Sequence, residues 1–126
     1  MTTYLWIGLG GFLGANARYL VQSWATARWG LNFPYGTLIA NVTGAFLLTL
    51  FATLITERFT VSQEVRLFVA TGFLGGYTTF SSFGYETWQL FDRLGWWGAG
   101  VNILSNLLLG TVGIMLGLMV ARWIAS

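Results

Sequence analysis

The chain has 126 residues, of which 56% are hydrophobic and only 8% charged. A soluble domain carries about 25% charged residues, so a water-facing globular surface is excluded and an integral membrane protein is the reading that remains. The formal charge is +2 without a single Lys, which leaves no basic patch for nucleic acid. With no Cys and no His, thiol chemistry, disulfides and the usual zinc or copper sites are excluded too.

A spanning helix needs about 20 mostly apolar residues, and four segments within a single transmembrane domain, 1–126, qualify. The opening Met1-Thr2-Thr3-Tyr4-Leu5-Trp6 has no basic region ahead of the apolar run. No cleaved signal peptide is therefore expected, and the first helix acts as its own insertion signal. That helix is predicted over about 4–27, with Arg18 midway. The second covers about 33–56 and carries no charge. The third covers about 65–91, with Arg66 at its start and Glu86 near its far end. The fourth covers about 97–123 and is uncharged until Arg122. The links are short. Pro34 stands where it can open a helix, and Ser62 is placed to cap the third one. The Trp residues fall near predicted helix ends, as an interfacial aromatic belt does. Gly10 with Gly14, and Gly113 with Gly117, are small-xxx-small pairs suited to close helix packing.

The third segment is interrupted near 74–79 by Gly72-Phe73-Leu74-Gly75-Gly76-Tyr77-Thr78-Thr79-Phe80-Ser81-Ser82-Phe83. Lipid offers no hydrogen-bond partners, so irregular backbone at that depth is tolerated only when buried in protein or lining a polar path. A mid-membrane break among hydroxyl residues points to an ion-binding or permeation site.

Orientation is nearly unbiased. With four spans, Arg58, Arg66 and Arg122 fall on one side and Arg28 and Arg93 on the other, whereas orientation normally follows an excess of Lys and Arg on the cytoplasmic side. Insertion both ways and pairing as a dual-topology antiparallel homodimer follow as the expectation.

The polar residues inside the spans leave alternatives open. Asn41, one turn after Thr37, is either an interhelical hydrogen-bonding residue or a pore-lining donor. Phe80 and Phe83 share a helical face, and either pack or turn their positive ring edges to an anion. Thr78, Thr79, Ser81 and Ser82 can donate to an anion or bond back to helix carbonyls. Glu86 is the one carboxylate well inside a span; it ends a polar track, binds a proton or sits in interfacial water. Arg18 snorkels or draws anions into a vestibule. Asn102 and Asn106, with Ser105 between them, either line the path or bond across helices. Exposed carbonyls around Gly75 and Thr78 could hold a hard monovalent cation. No nucleophile–base pair suits catalysis, so no enzyme is expected.

The residues Gly8-Leu9-Gly10-Gly11-Phe12-Leu13-Gly14-Ala15 with Arg18-Tyr19, then Gly36-Thr37-Leu38-Ile39-Ala40-Asn41-Val42-Thr43-Gly44, and above all Gly72 to Phe83 with Glu86, carry a resemblance. Over essentially its whole length the chain resembles the Fluc (CrcB) fluoride channels of microorganisms. The resemblance implies a four-helix, antiparallel dual-topology homodimer in the plasma membrane, a bacterial inner membrane, with two narrow pores that export fluoride passively and discriminate against chloride. It implies that Asn41 lines the pore and that Phe80 and Phe83 turn ring edges to fluoride. It further implies that Thr37, Ser81, Ser82 and Glu86 belong to the polar lining, that Arg18 stands near the aqueous vestibule, and that the main-chain carbonyls of Gly75 and Thr78 from both subunits hold one structural sodium. The resemblance also implies polar residues at successive turns of the fourth helix along the pore; Asn102 and Asn106 fit that pattern, and Gly110, which offers nothing one turn later, departs from it. A proton-coupled multidrug exporter, the other small dual-topology dimer, needs a carboxylate in the first helix; only Arg18 is charged there. A passive scaffold would give no reason for the hydroxyl-rich break.

Overall fold

The computed structural model describes every residue, Met1–Ser126, and is all-helical. Helix α1 (Thr2–Trp29) has 28 residues, about 42 Å at 1.5 Å per residue. It stops at Gly30, whose φ of 81° lies in the left-handed region and whose N–H returns to the Thr26 carbonyl at 2.8 Å. Helix α2 (Tyr35–Glu57) starts directly after Pro34, the Pro34 carbonyl accepting the Leu38 N–H at 3.2 Å.

Helix α3 covers residues 63–77. Ser62 caps it, its hydroxyl accepting the Val65 N–H at 3.3 Å. After the turn Gln63–Arg66 the helix widens into a π-helix over Leu67–Leu74, then closes with Gly75–Tyr77. Phe80–Ala125 is helical except at Gly95 (φ 71°, ψ −155°), which divides it into α4 (80–94) and α5 (96–125).

The glycines decide which helices touch. A Cβ on Gly10 would lie 2.8 Å from the Phe73 nitrogen, one on Gly72 would lie 2.7 Å from the Ile7 carbonyl, and one on Gly76 would lie 2.9 Å from the Gly11 carbonyl. α1 and α3 are therefore in backbone contact across the π segment, an approach that only small residues allow. α2 packs in the same way on α5, where a Cβ on Gly113 would lie 2.8 Å from the Val42 carbonyl.

Two polar contacts define the ends. Arg93 Nη2 donates to the Asn32 carbonyl at 2.8 Å, tying the α4–α5 turn to the α1–α2 link. At the opposite end Arg122 Nε approaches Glu57 Oε1 at 3.8 Å. α3 and α4 thus run in sequence from the second end to the first, interrupted at Thr78 and Thr79. Large apolar side chains cover the outside, among them Phe12 at 66% exposure, as expected of a surface solvated by lipid.

The close α1–α3 approach gives a stability test. Gly14→Ala puts a methyl group into the Phe73 backbone, while Gly8→Ala meets nothing within 4 Å. The first is expected to cost about 1–3 kcal/mol, as overpacking does, and the second close to nothing, read as midpoint shifts in detergent unfolding.

Candidate functional site

The helix breaks over two residues. Thr78 (φ −84°, ψ 157°) and Thr79 (φ −152°, ψ 121°) are both extended. In an unbroken helix the Thr79 N–H would donate to the Gly75 carbonyl. Here it donates to Asn41 Oδ1 at 2.8 Å, and Asn41 Nδ2 donates back to the Thr79 carbonyl at 3.0 Å. One side chain on α2 thus satisfies both backbone groups of the extended residue. The Ser82 N–H, whose helical acceptor would be the Thr78 carbonyl, donates instead to Thr79 Oγ1 at 3.1 Å, so Thr79 caps α4.

Several side chains hold the strands of this knot. The Thr78 hydroxyl donates to the Leu74 carbonyl at 3.0 Å, and its methyl group fills the space beside Gly44. The Thr43 hydroxyl donates to the Ile39 carbonyl at 2.6 Å, so the Tyr77 hydroxyl is the donor in the 2.9 Å contact between the two. Arg18 Nε donates to the Gly76 carbonyl at 3.2 Å.

Below the break, a cavity of about 670 Å³ opens between the end of α1, the 30–34 link, the start of α2 and α4. A directed chain of donors runs along its wall. Gln22 Nε2 donates to Thr37 Oγ1 at 3.1 Å, and the Thr37 hydroxyl donates to Glu86 Oε2 at 3.0 Å. Glu86 Oε1 is buried with no hydrogen-bond partner. Ser82, one turn before Glu86, lines the same cavity.

The structure therefore brings Thr37, Ser82 and Glu86 to one cavity and sets Asn41 one turn deeper, on the break itself. Phe83 is half-buried and Phe80 is 82% exposed, their rings 5.6 Å apart at 62°. Ser81 is exposed, with only a 3.5 Å contact to Thr79 Oγ1. Arg18 stands against the Gly76 carbonyl and does not line the cavity. Gly75 is exposed, and its carbonyl and that of Thr78 have both lost their regular helical donors to side chains. No group of three or more His, Cys, Asp or Glu is present to ligate a metal, so a cation here would be held by neutral oxygens. Sequence reasoning passed over Gln22 and left Thr79 without a defined part. Gln22 lies four residues after Arg18, on one face of α1, which was the available signal.

A family model described as "CrcB-like protein, Camphor Resistance (CrcB)" matches residues 5–118. The chain belongs to this CrcB-like family. It is similar to proteins named fluoride-specific ion channel FluC. The one from Roseiflexus sp. (strain RS-1) is 47% identical over 116 residues, covering 92% of this chain and 94% of that protein. That from Chloroflexus aurantiacus (strain ATCC 29366 / DSM 635 / J-10-fl) is 42% identical over 123 residues, 98% of each chain. That from Legionella pneumophila (strain Paris) is 42% identical over 125 residues, covering 96% of this chain and 90% of that protein. Since α2 and the 63–125 stretch are also long and apolar enough to cross a membrane, this is a membrane protein.

Thr37 is the sole hydrogen-bond donor to the Glu86 carboxylate in the structure. Thr37→Val should therefore destabilise by about 1–3 kcal/mol, the range for stranding a buried polar partner, whereas Thr37→Ser should stay near wild type. Unfolding midpoints of the two variants side by side decide it.

Proposed function

We propose that the chain is a passive, fluoride-selective channel that lets cytoplasmic fluoride leave the cell. The observation that carries this reading is the set of relatives named fluoride-specific ion channels, 42–47% identical over 92–98% of this chain. The geometry supports it. Fluoride is small and holds its water tightly, so a path for it must offer several donors in place of that water. Hydroxyls of Ser81 and Ser82 and the edges of Phe80 and Phe83 offer such donors in succession along α4, and Thr37, whose one hydroxyl hydrogen goes to Glu86, belongs to the polar lining beside them. Asn41 adds one more. One of its amide hydrogens is held by Thr79, and the other reaches Asn106 Oδ1 only at 3.4 Å, the long end of a hydrogen bond and the one an anion would draw away.

The working unit in this reading is an antiparallel homodimer in the plasma membrane, with four crossings per chain and two pores. The main-chain carbonyls of Gly75 and Thr78 from both subunits are the proposed holders of one structural sodium. Their fit rests on the diverted donors: the Thr79 and Ser82 amides that would satisfy them bond elsewhere. When bound, the ion would supply positive potential at the break. Asn41 and Thr79 keep those two amides diverted from the carbonyls, and Arg18 holds the Gly76 carbonyl of the same turn. Glu86, at the inner end of the Gln22–Thr37 chain, closes the polar lining. The chain moves an ion and catalyses no reaction.

Liposomes holding the purified protein, read with fluoride and chloride electrodes, should lose fluoride rapidly and retain chloride; retention of both ions would overturn the reading. Phe80→Ile and Phe83→Ile should each lower fluoride efflux by roughly threefold to tenfold, the worth of one aromatic edge contact.

Several Lys added to the 57–64 link should commit the chain to one orientation. Expressed alone, that variant is expected to be inactive; mixed with a variant biased the other way, it should recover. Full activity from one biased variant by itself would refute the antiparallel dimer.

A further inference from the structure

Tyr77 is the last residue of α3 before the break, and its side chain is buried, 8% exposed. A phenol hydroxyl in an apolar interior is costly unless it is hydrogen-bonded. It meets one polar side chain, Thr43 on α2, at 2.9 Å. The Thr43 hydroxyl gives its single hydrogen to the Ile39 carbonyl at 2.6 Å, so the tyrosine donates and the threonine accepts. The ring is set by its neighbours. It stacks on Phe73 (6.0 Å, 12°), and a Cβ on Gly44 would lie 3.3 Å from its Cδ2.

Two nearby points on α2 therefore hold the chain on the two sides of Thr78. Asn41 takes the backbone of Thr79, and Thr43 takes the side chain of Tyr77. Position 41 meets 79 and position 43 meets 77, so the break passes α2 in antiparallel register. Thr78 itself bonds only backwards, its N–H (3.1 Å) and its hydroxyl (3.0 Å) both going to the Leu74 carbonyl. No polar group of its own ties it to α2. The carbonyls of Gly75 and Thr78 have lost their regular helical donors, so where they point depends on how Tyr77 and Thr79 are held.

We infer that Tyr77 and Thr43 are positioning residues of the break: their hydrogen bond fixes the end of α3 on α2 and thereby sets the direction of the Gly75 and Thr78 carbonyls. The consequence for a bound cation rests on the sodium reading above; the consequence for the backbone of the break does not. Neither residue lines the cavity. The hydroxyl is what carries the inference. A phenylalanine at 77 would fill the same space and stack on Phe73 equally well, so apolar packing gives no reason for a tyrosine there.

The test uses the full chain, isotope-labelled in detergent micelles, with Tyr77→Phe, Thr43→Val and Thr43→Ser, in sodium chloride and in N-methylglucamine chloride. Tyr77→Phe and Thr43→Val should each speed hydrogen exchange of the Thr78 and Thr79 amides by about fivefold, the worth of one hydrogen bond. Amides of α5 should keep their rates. The sodium concentration that half-maximally raises the unfolding midpoint should increase by a similar factor. Thr43→Ser, which keeps the acceptor, should match wild type in both readouts. Tyr77→Phe combined with Thr43→Val should do no more than either alone, because both remove the same bond. Wild-type exchange at Thr78 and Thr79 in both disrupting variants overturns the proposal, as does equal acceleration throughout the protein or additivity in the double variant. Faster exchange with an unchanged sodium midpoint overturns the control of the carbonyls. If sodium does not stabilise the wild-type protein, the sodium reading fails, and the two amides still decide whether the bond holds the break.

Discussion

Two extended residues in the middle of an apolar bundle set the terms for the rest of this protein. Thr78 and Thr79 leave the helix where neither water nor lipid can satisfy their backbone groups. The solution is local and costs one polar side chain on a neighbouring helix. Asn41 takes both the N–H and the carbonyl of Thr79, as a neighbouring strand would. Everything near the break follows from that pairing. Thr79, held extended, is free to cap α4; α4 then starts in a fixed register, and Ser82 and Glu86 come to face Thr37 across the cavity.

The pairing needs α2 and the break to be close, which the glycines provide. Gly44 leaves room for the Thr78 methyl group, and Gly10, Gly14, Gly72 and Gly76 let α1 and α3 meet backbone to backbone. The π-helix over Leu67–Leu74 belongs to the same arrangement. It lies directly ahead of the break, and the glycines at 72 and 76, four residues apart and so on one helix face, both meet α1. Arg18 then reaches across that contact to the Gly76 carbonyl, which leaves α1 holding the upstream side of the break and α2 the downstream side.

What the sequence made legible follows from where the signals are strong. An apolar, nearly uncharged chain of this length dictates long helices, and the all-helical architecture is read straight from it. Family membership was legible in the Gly36–Gly44 and Gly72–Phe83 runs, because glycine and hydroxyl residues there serve fixed backbone purposes. The π segment was not legible: Leu67-Phe68-Val69-Ala70-Thr71-Gly72-Phe73-Leu74 has the composition of any apolar α-helix, and no residue in it marks the wider hydrogen-bond pattern. Gln22 was missed because its spacing from Arg18 marks a shared face of α1 but not the threonine fifteen residues away that it contacts. Asn41 showed as a polar residue needing a partner, but its partner is a backbone, and no spacing rule connects a side chain on one helix to an unwound residue on another.

The break also explains why one chain looks unfinished. Asn41 satisfies Thr79 from one side only. On the other, Gly75 and Phe80 are exposed, and the carbonyls of Gly75 and Thr78 have surrendered their regular donors. Lipid cannot lie against such a surface, because it has nothing to offer a carbonyl. A second copy bringing the same break to the same place would cover it, and a cation between the two sets of carbonyls would satisfy oxygens that neither chain can satisfy alone. Two identical breaks meet in the membrane plane most simply when the chains are inverted, and the three-against-two placement of Arg58, Arg66 and Arg122 opposite Arg28 and Arg93 leaves insertion nearly free to supply both orientations. In the antiparallel dimer proposed above, the weak charge bias and the exposed break would both answer one requirement, that the backbone interruption be completed by an inverted second copy.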